Sequence, residues 1–425
     1  MSLHTHPPQP FAFHGRGKDY FKIWIVSLAL TIATLGIYAA WAKVKTRRYF
    51  YQCTELDGKR FEYHAKPVAI LKGNLLVMAV VASYALGGAL FPALGALVFV
   101  IVLALLPVFV VLGLRFHLAH CSYANLRFAF TGTVKSAYAS LGKAILIALA
   151  TGLAVLTTLG FSGFMGALIN AQEPGLLSIA LGFMVLFVAT VTVLTAFTRG
   201  LRLFIFNHVQ YGSASLNTQV SFERFNRVAL ITYFVGGLLA AVIMAAGVIA
   251  STHALDASFR DLQQALPASN LDDKQHLDTP SESPVDPTWE EPGQARPQMG
   301  FSPLVMTLYL FVFLFYFLIF AVLAYLKTAI NNLLWNNTEL EGGHRFSSQA
   351  KPLRATWIHI SNWVLIILTL GLYLPFARIR AIRYRIKNMA FKPAGSIDHI
   401  VQTQQAKQKA YGDSMGDTLG LDLGL

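Results

Sequence analysis

Charged residues are scarce in this chain: Asp, Glu, Lys and Arg make up 13% of its 425 residues, against 55% hydrophobic ones. The mean hydropathy is +0.52. So little charge cannot cover the surface of a water-facing fold, so the solvent must be a lipid bilayer. Cysteine is scarcer still. Only Cys53 and Cys121 occur, both in basic loops, which excludes a disulfide framework and predicts reduced thiols. The interiors of the long apolar runs hold no Asp, Glu, Lys or Arg. Ion-coupled transporters commonly place an ionisable relay there, so coupled transport is disfavoured. Gly-x-Ser-x-Gly, a phosphate-binding loop, a dinucleotide fingerprint and a soluble catalytic domain are also missing. An enzyme has no support, and no catalytic or cofactor-binding residue is expected.

What the chain has is apolar length. Runs at Phe21–Trp41, Leu75–Leu114, Ala144–Ile169, Leu176–Phe197, Val228–Ile249, Leu304–Leu326 and Trp357–Pro375 mostly reach the roughly 20 residues a spanning helix needs. The second is long enough for two helices turned at Phe91-Pro92-Ala93. Lys43, Lys45, Arg47 and Arg48 follow the first run instead of a small-residue cleavage site, so the run reads as retained and not as a signal peptide.

The net charge of +13 is unevenly spread: residues 251–302 carry nine acidic side chains against three basic ones. That segment, rich in Pro, Ser, Asp and Gln, reads as a disordered excursion on the translocated side. The short basic loops at 43–72, 115–143, 199–227 and 327–354 then lie in the cytoplasm, and six helices alternate between them. The first and last runs are basic on both flanks. Arg16, Lys18 and Lys22 precede the first; Arg378, Arg380, Arg383 and Arg385 follow the last.

Those two ends are related. Thr34-Leu35-Gly36-Ile37-Tyr38, Ala42-Lys43-Val44-Lys45 and Arg48-Tyr49 recur without gaps as Thr369-Leu370-Gly371-Leu372-Tyr373, Ala377-Arg378-Ile379-Arg380 and Arg383-Tyr384. Thr54-Glu55-Leu56-Asp57-Gly58 recurs as Thr338-Glu339-Leu340-Glu341-Gly342. Asp57-Gly58 between two short aromatic runs predicts a tight β-hairpin. Weaker cousins stand at His120–Tyr123 with Phe128–Gly132 and at His208–Tyr211 with Leu216, while Phe11–Gly15 matches Phe128–Gly132. If these pieces share one cytoplasmic sheet, the first run must enter and leave by one face, broken near Thr34-Leu35-Gly36. The last would break near Thr369-Leu370-Gly371. Two ordinary spans with basic flanks are the alternative.

Phe11-x-Phe13-x-Gly15 before an apolar run, Thr34-Leu35-Gly36-Ile37-Tyr38 with Trp41-Ala42 and the Arg47-Arg48-Tyr49-Phe50 tail, and Thr54-x-Leu56-Asp57-Gly58 resemble the YjgN family of bacterial inner-membrane proteins. The resemblance covers nearly the whole chain and implies location and architecture, but supplies no activity. Family members often carry Pro before the Trp; here Ala40 precedes Trp41 and Pro375 precedes Phe376.

The expected fold is thus an all-α polytopic bundle in the inner (plasma) membrane, with six clear transmembrane helices, two terminal elements that span or re-enter, and small cytoplasmic β-hairpins. Its divisions are an N-terminal segment at 1–20, membrane regions at 21–250 and 303–390, the acidic loop at 251–302 and a flexible tail at 391–425. The aromatic pairs Tyr38/Trp41 and Tyr373/Phe376 sit at headgroup depth, with Lys43, Lys45, Arg47, Arg48, Arg378, Arg380, Arg383 and Arg385 beyond them. They are candidate contacts for anionic membrane lipids. No nucleic-acid partner is expected. His117, His120 and Cys121, with His64 or His208, lack the paired spacing of a metal site, so none is assigned. Two functions remain: an uncoupled small-solute channel or transporter, or a non-enzymatic scaffold or lipid-interacting protein. A pore lined by Asn74, Ser83, Thr157, Thr158, Asn170, Thr192, Thr195 or Asn362 would favour the first. A sealed bundle with a basic rim would favour the second.

Overall fold

The computed structural model describes residues 7–140, 142, 146–147, 149–153, 157, 176–265, 303–395 and 401–406. Its strands come in pairs of one long and one short. In chain order they are β1 (Gln9–Phe13), β2 (Thr54–Leu56), β3 (Lys59–Tyr63), β4 (Cys121–Tyr123), β5 (Leu126–Phe130), β6 (Val209–Tyr211), β7 (Ala214–Thr218), β8 (Thr338–Leu340), β9 (His344–Ser348) and β10 (Met389–Lys392). The helices are α1 (Gly17–Ala33), α2 (Ala39–Gln52), α3 (Pro67–Leu90), α4 (Pro92–Ala119), α5 (Leu176–Asn207), α6 (Phe222–Ala265), α7 (Pro303–Asn336), α8 (Pro352–Leu368) and α9 (Leu374–Lys387). Residues 134–140 are helical as well.

All ten strands close into one antiparallel barrel, each paired with its sequence neighbour and β1 with β10. This corrects the all-α expectation. Strands of three to five residues separated by long helices look like isolated local hairpins in sequence, and closure depends on pairings such as Pro10 with Ala390 that no local pattern carries. Tight turns with positive φ at Asp57-Gly58 and Ala124-Asn125 join β2 to β3 and β4 to β5.

Between the strands runs one repeated unit: strand, helical segment, strand. It occurs five times, from β1–β2 round to β9–β10. The same backbone hydrogen bond ties the base of each: His14 N to Cys53 O (2.8 Å), His64 N to His120 O (2.8 Å), Thr131 N to His208 O (2.9 Å), Gln219 N to Asn337 O (3.3 Å) and Gln349 N to Asn388 O (2.9 Å). The end-to-end repeat read from sequence is therefore part of a fivefold one.

The first and last units contain short broken helices. At the end of α1 the C-cap is Thr34, Leu35 has φ +49°, and the Gly36 and Leu35 amides donate to Thr31 O (2.7 Å) and Ile32 O (3.1 Å). The α8 end repeats this at Leu370 and Gly371, onto Ile366 O (2.7 Å) and Ile367 O (3.1 Å). These are Schellman caps. The Thr34 and Thr369 hydroxyls then accept from the Tyr38 and Tyr373 amides, starting the second helix. Because β1 pairs with β2 and β9 with β10, each pair returns to the face it left.

The expected count of six spanning helices is also corrected. Four described helices are long and apolar enough to cross a membrane: Pro67–Ala89, Met184–Asn207, Phe222–Arg260 and Val305–Asn336. A bent fifth, Pro92–Val102 with Ala104–Ala119, qualifies only as one broken span. The run at Ala144–Ile169 falls mostly outside the described residues. The acidic segment does so from residue 266, its first part continuing α6.

By compactness the chain divides into Met1–Tyr233 with Ala321–Leu425, and Phe234–Phe320. The first unit contains the barrel. In the second, Gly247 lies against the Phe311 ring, where an added Cβ would approach to 3.0 Å.

Candidate functional site

Alternate strand residues share a face. The outward ones are polar and cross-strand paired: Glu55 faces Arg60, and Glu339 faces Arg345 with a 2.7 Å ion pair. The inward ones are mainly apolar, with Thr218, Thr338, His344 and Ser348 as buried polar members on β7, β8 and β9. Each long strand contributes one large side chain from its central position: Phe11, Phe61, Phe128, Leu216 and Phe346. Each short strand adds another: Leu56, Tyr123, Tyr211, Leu340 and Phe391.

These ten side chains do not fill the barrel. They enclose a chamber of about 430 Å³, bounded toward the helices by Tyr51, Leu118, Ile205, Phe206 and Trp335. Val401, from the helical residues 401–406, is buried against the same layer. Gln404 Oε1 holds that segment in place by accepting from the Ser213 amide (2.9 Å) and hydroxyl (2.8 Å), and Gln405 donates to Ala124 O (3.1 Å). The buried phenols find carbonyls: Tyr123 OH donates to Leu56 O (2.9 Å) and Tyr211 OH to Tyr123 O (3.1 Å). Burial pushes the Tyr211 phenol above its ordinary pKa, so it stays neutral.

Cations gather where the helices meet the barrel, and the structure sorts the sequence candidates into two kinds. Some are fixed by internal bonds. Arg383 donates to Gly15 O (2.7 Å) and Arg378 to Tyr20 OH (3.0 Å), so the two chain ends do meet. Arg380 donates to Ser361 Oγ (2.8 Å) and Asn362 Oδ1 (3.2 Å). Arg47 donates to Tyr63 OH (2.9 Å) and lies 3.1 Å from His117 Nδ1, which must accept because a guanidinium only donates. Arg115 on Gly132 O (2.8 Å), Arg199 on Val220 O (2.7 Å) and Asn332 on Ala350 O (2.6 Å) repeat the Arg383 contact at other unit junctions. Sequence reasoning missed this pattern, whose only trace is a polar residue near the end of an apolar run.

The others are less engaged. Lys45 donates to the Tyr38 hydroxyl (2.7 Å) and lies 5.4 Å from the centre of its ring, and Tyr38 stacks on Trp41 as Tyr373 does on Phe376. Lys43, Arg48 and Arg385 form no hydrogen bond or ion pair among the described residues; burial, then the nearby Arg47, lowers the pKa of Lys43. The metal-ligand candidates are separately occupied: His120 Nδ1 on Phe116 O (2.6 Å), His64 with Ser122 (2.8 Å) and Cys121 with Tyr51 OH (3.2 Å). Among the described residues, no three His, Cys, Asp or Glu side chains gather as a metal site.

Of the pore-lining candidates, Thr195 is buried with no hydrogen-bond partner for its hydroxyl among the described residues. Asn362 donates to Ala377 O (3.1 Å) across α8 and α9, and Ser83 donates to Ala79 O (2.8 Å) in its own helix. Thr158 and Asn170 lie outside the described residues.

The family described as bacterial proteins of unknown function (DUF898) matches residues 8–418. The inner membrane protein YjgN of Salmonella typhimurium is 27% identical over 420 residues, covering 95% of this chain and 92% of that protein. YjgN proteins of Escherichia coli O157:H7 and strain K12 are 34% and 35% identical over 138 and 135 residues, in each case 33% of the relative's length. No solved structure matches.

Proposed function

The chain belongs to this DUF898 family, which the YjgN resemblance anticipated, and from its place in the inner membrane we propose that it is a non-enzymatic lipid-interacting protein. The observation that carries this is the chamber. About 430 Å³ walled by every strand and lined almost wholly by aromatic and aliphatic side chains suits the apolar part of a lipid. A hydrated solute would shed its water there without replacement hydrogen bonds, which argues against the channel or transporter reading for the barrel axis. Around it, Tyr38, Trp41, Lys45, Arg48 and Tyr373 hold anionic headgroups at the interface. The positive-inside rule puts the barrel on the cytoplasmic side.

Lipid analysis of the purified protein tests the reading. Wild type should carry lipid that Leu216→Trp, which narrows the chamber, displaces; identical lipid content in both would end it. Reconstituted vesicles should show no solute flux above empty ones.

A further inference from the structure

Beside the chamber lies a second, polar recess of about 150 Å³ between α7, α8 and α9. Trp335 and Met389 belong to the walls of both cavities. Lys327, His359 and Arg385 line the recess together with Thr328, Asn331 and Asn332. Arg202 of α5 stands within electrostatic reach of Lys327 and Arg385. The lining contains no carboxylate. The described carboxylates that pair with cations or histidines are Glu55, Glu62, Glu223 and Glu339, none of them in the recess. Arg202, Lys327 and Arg385 make no hydrogen bond or ion pair among the described residues. Arg385 keeps an open surface, yet enough protein surrounds it that burial, then Arg202, lowers its pKa. A side chain both open and surrounded faces an internal space.

Three like charges held together without an anion repel one another, and natural folds keep such groups partly buried when something neutralises them. We propose that this recess is a binding site for a phosphate group, with Arg385 and Lys327 as its direct ligands, Arg202 adding charge, and the Asn331 amide completing the hydrogen bonds. Its volume is below the roughly 300–1,000 Å³ of drug-sized pockets. It still exceeds the space of a few waters at about 30 Å³ each, which suits a tetrahedral oxyanion. Guanidinium and ammonium together match phosphate oxygens in geometry and charge. Because Trp335 and Met389 border both cavities, one amphiphile can place its phosphate here and its apolar part in the chamber; this last step rests on the lipid reading above.

The test uses the full chain in neutral detergent, with binding and thermal unfolding read for inorganic phosphate, for phosphatidate and for phosphatidylcholine as the neutral-headgroup control. Lys327→Gln and Arg385→Gln should weaken phosphate and phosphatidate binding about tenfold or more, the loss expected for one charge-assisted hydrogen bond. Arg127→Gln removes the same charge on the exposed side of β5, away from the recess, and should change little. Phosphate slowing the acetylation of Lys327 in the wild type reads the site without a variant that could misfold. Binding of both ligands supports a phosphate site open to either source; phosphatidate alone assigns it to a lipid headgroup. Inorganic phosphate alone, unaffected by Leu216→Trp, keeps the site and overturns its link to the chamber. Equal losses in Arg127→Gln and Arg385→Gln, or no protection of Lys327, overturn the proposal.

Discussion

The terminal helix pairs and the central ones hang from the same barrel yet end in opposite ways. α1 and α8 are 17 residues each, about 26 Å at 1.5 Å per residue, shorter than the roughly 30 Å hydrocarbon core. Their partners α2 and α9 are basic for much of their length. α3 has 24 residues and α7 has 34. The terminal pairs turn on Leu-Gly in left-handed caps, whereas α3 and α4 turn on Phe91-Pro92 and pack so closely that a Cβ on Gly95 would lie 2.8 Å from Gly88 Cα. One strand grammar thus supports two depths, and helix length with the chemistry of the break decides between them. The terminal pairs leave and rejoin the barrel between paired strands, and their tips, Leu35 (93% exposed) and Leu370 (94% exposed), leave large apolar side chains uncovered.

That contrast can be broken in several ways. The shared barrel is the most sensitive place: Leu126→Ala, at a side chain 1% exposed, should cost about 2–5 kcal/mol in detergent unfolding, while Leu35→Ala should stay within about 0.5 kcal/mol. In the central pair, Gly95→Leu should cost about 1–3 kcal/mol by overpacking against Gly88. At the terminal breaks, Leu35→Gly should stabilise by about 1–2 kcal/mol, since leucine there holds a left-handed conformation, yet reduce labelling of the tip by a membrane-embedded probe. Unchanged labelling would show that the tip does not enter the bilayer.

The smallest effect is on pH. Burial lowers the pKa of His344 from its usual 6.5, and its Nδ1 accepts from the Ala394 amide (2.9 Å). The unfolded chain then binds the proton more readily than the folded one, so the neutral ring's contribution is full above 6.5 and falls as pH drops toward the folded value. His344→Gln should flatten the acid limb of a melting-temperature profile.

Much of this was legible in the chain and some was not. The Thr34 to Tyr49 and Thr369 to Tyr384 blocks located both breaks to the residue, and Asp57-Gly58 marked a real hairpin. Hydropathy found the apolar helices, of which four, or five with the bent pair, pass as spans among the described residues. Barrel closure was hidden because its register joins residues almost a whole chain apart, as in Gln9 with Phe391. The basic clusters looked uniform in sequence. Only folding shows that Arg47, Arg378, Arg380 and Arg383 are spent on phenols, amides and carbonyls, and that Arg385 joins Lys327 and Arg202, which have no pattern in common.

The central claim is closure of the ten strands, since the chamber exists only if β1 meets β10. In a background with Cys53 and Cys121 replaced by serine, Pro10→Cys with Ala390→Cys places two cysteines directly across that pairing, about 4.5–5.5 Å apart at Cα and within disulfide reach. Mild oxidation should form an intramolecular cross-link as readily as a control pair at Glu55 and Arg60 across β2 and β3. A control pair that closes while 10 and 390 stay reduced would mean an open sheet and no chamber.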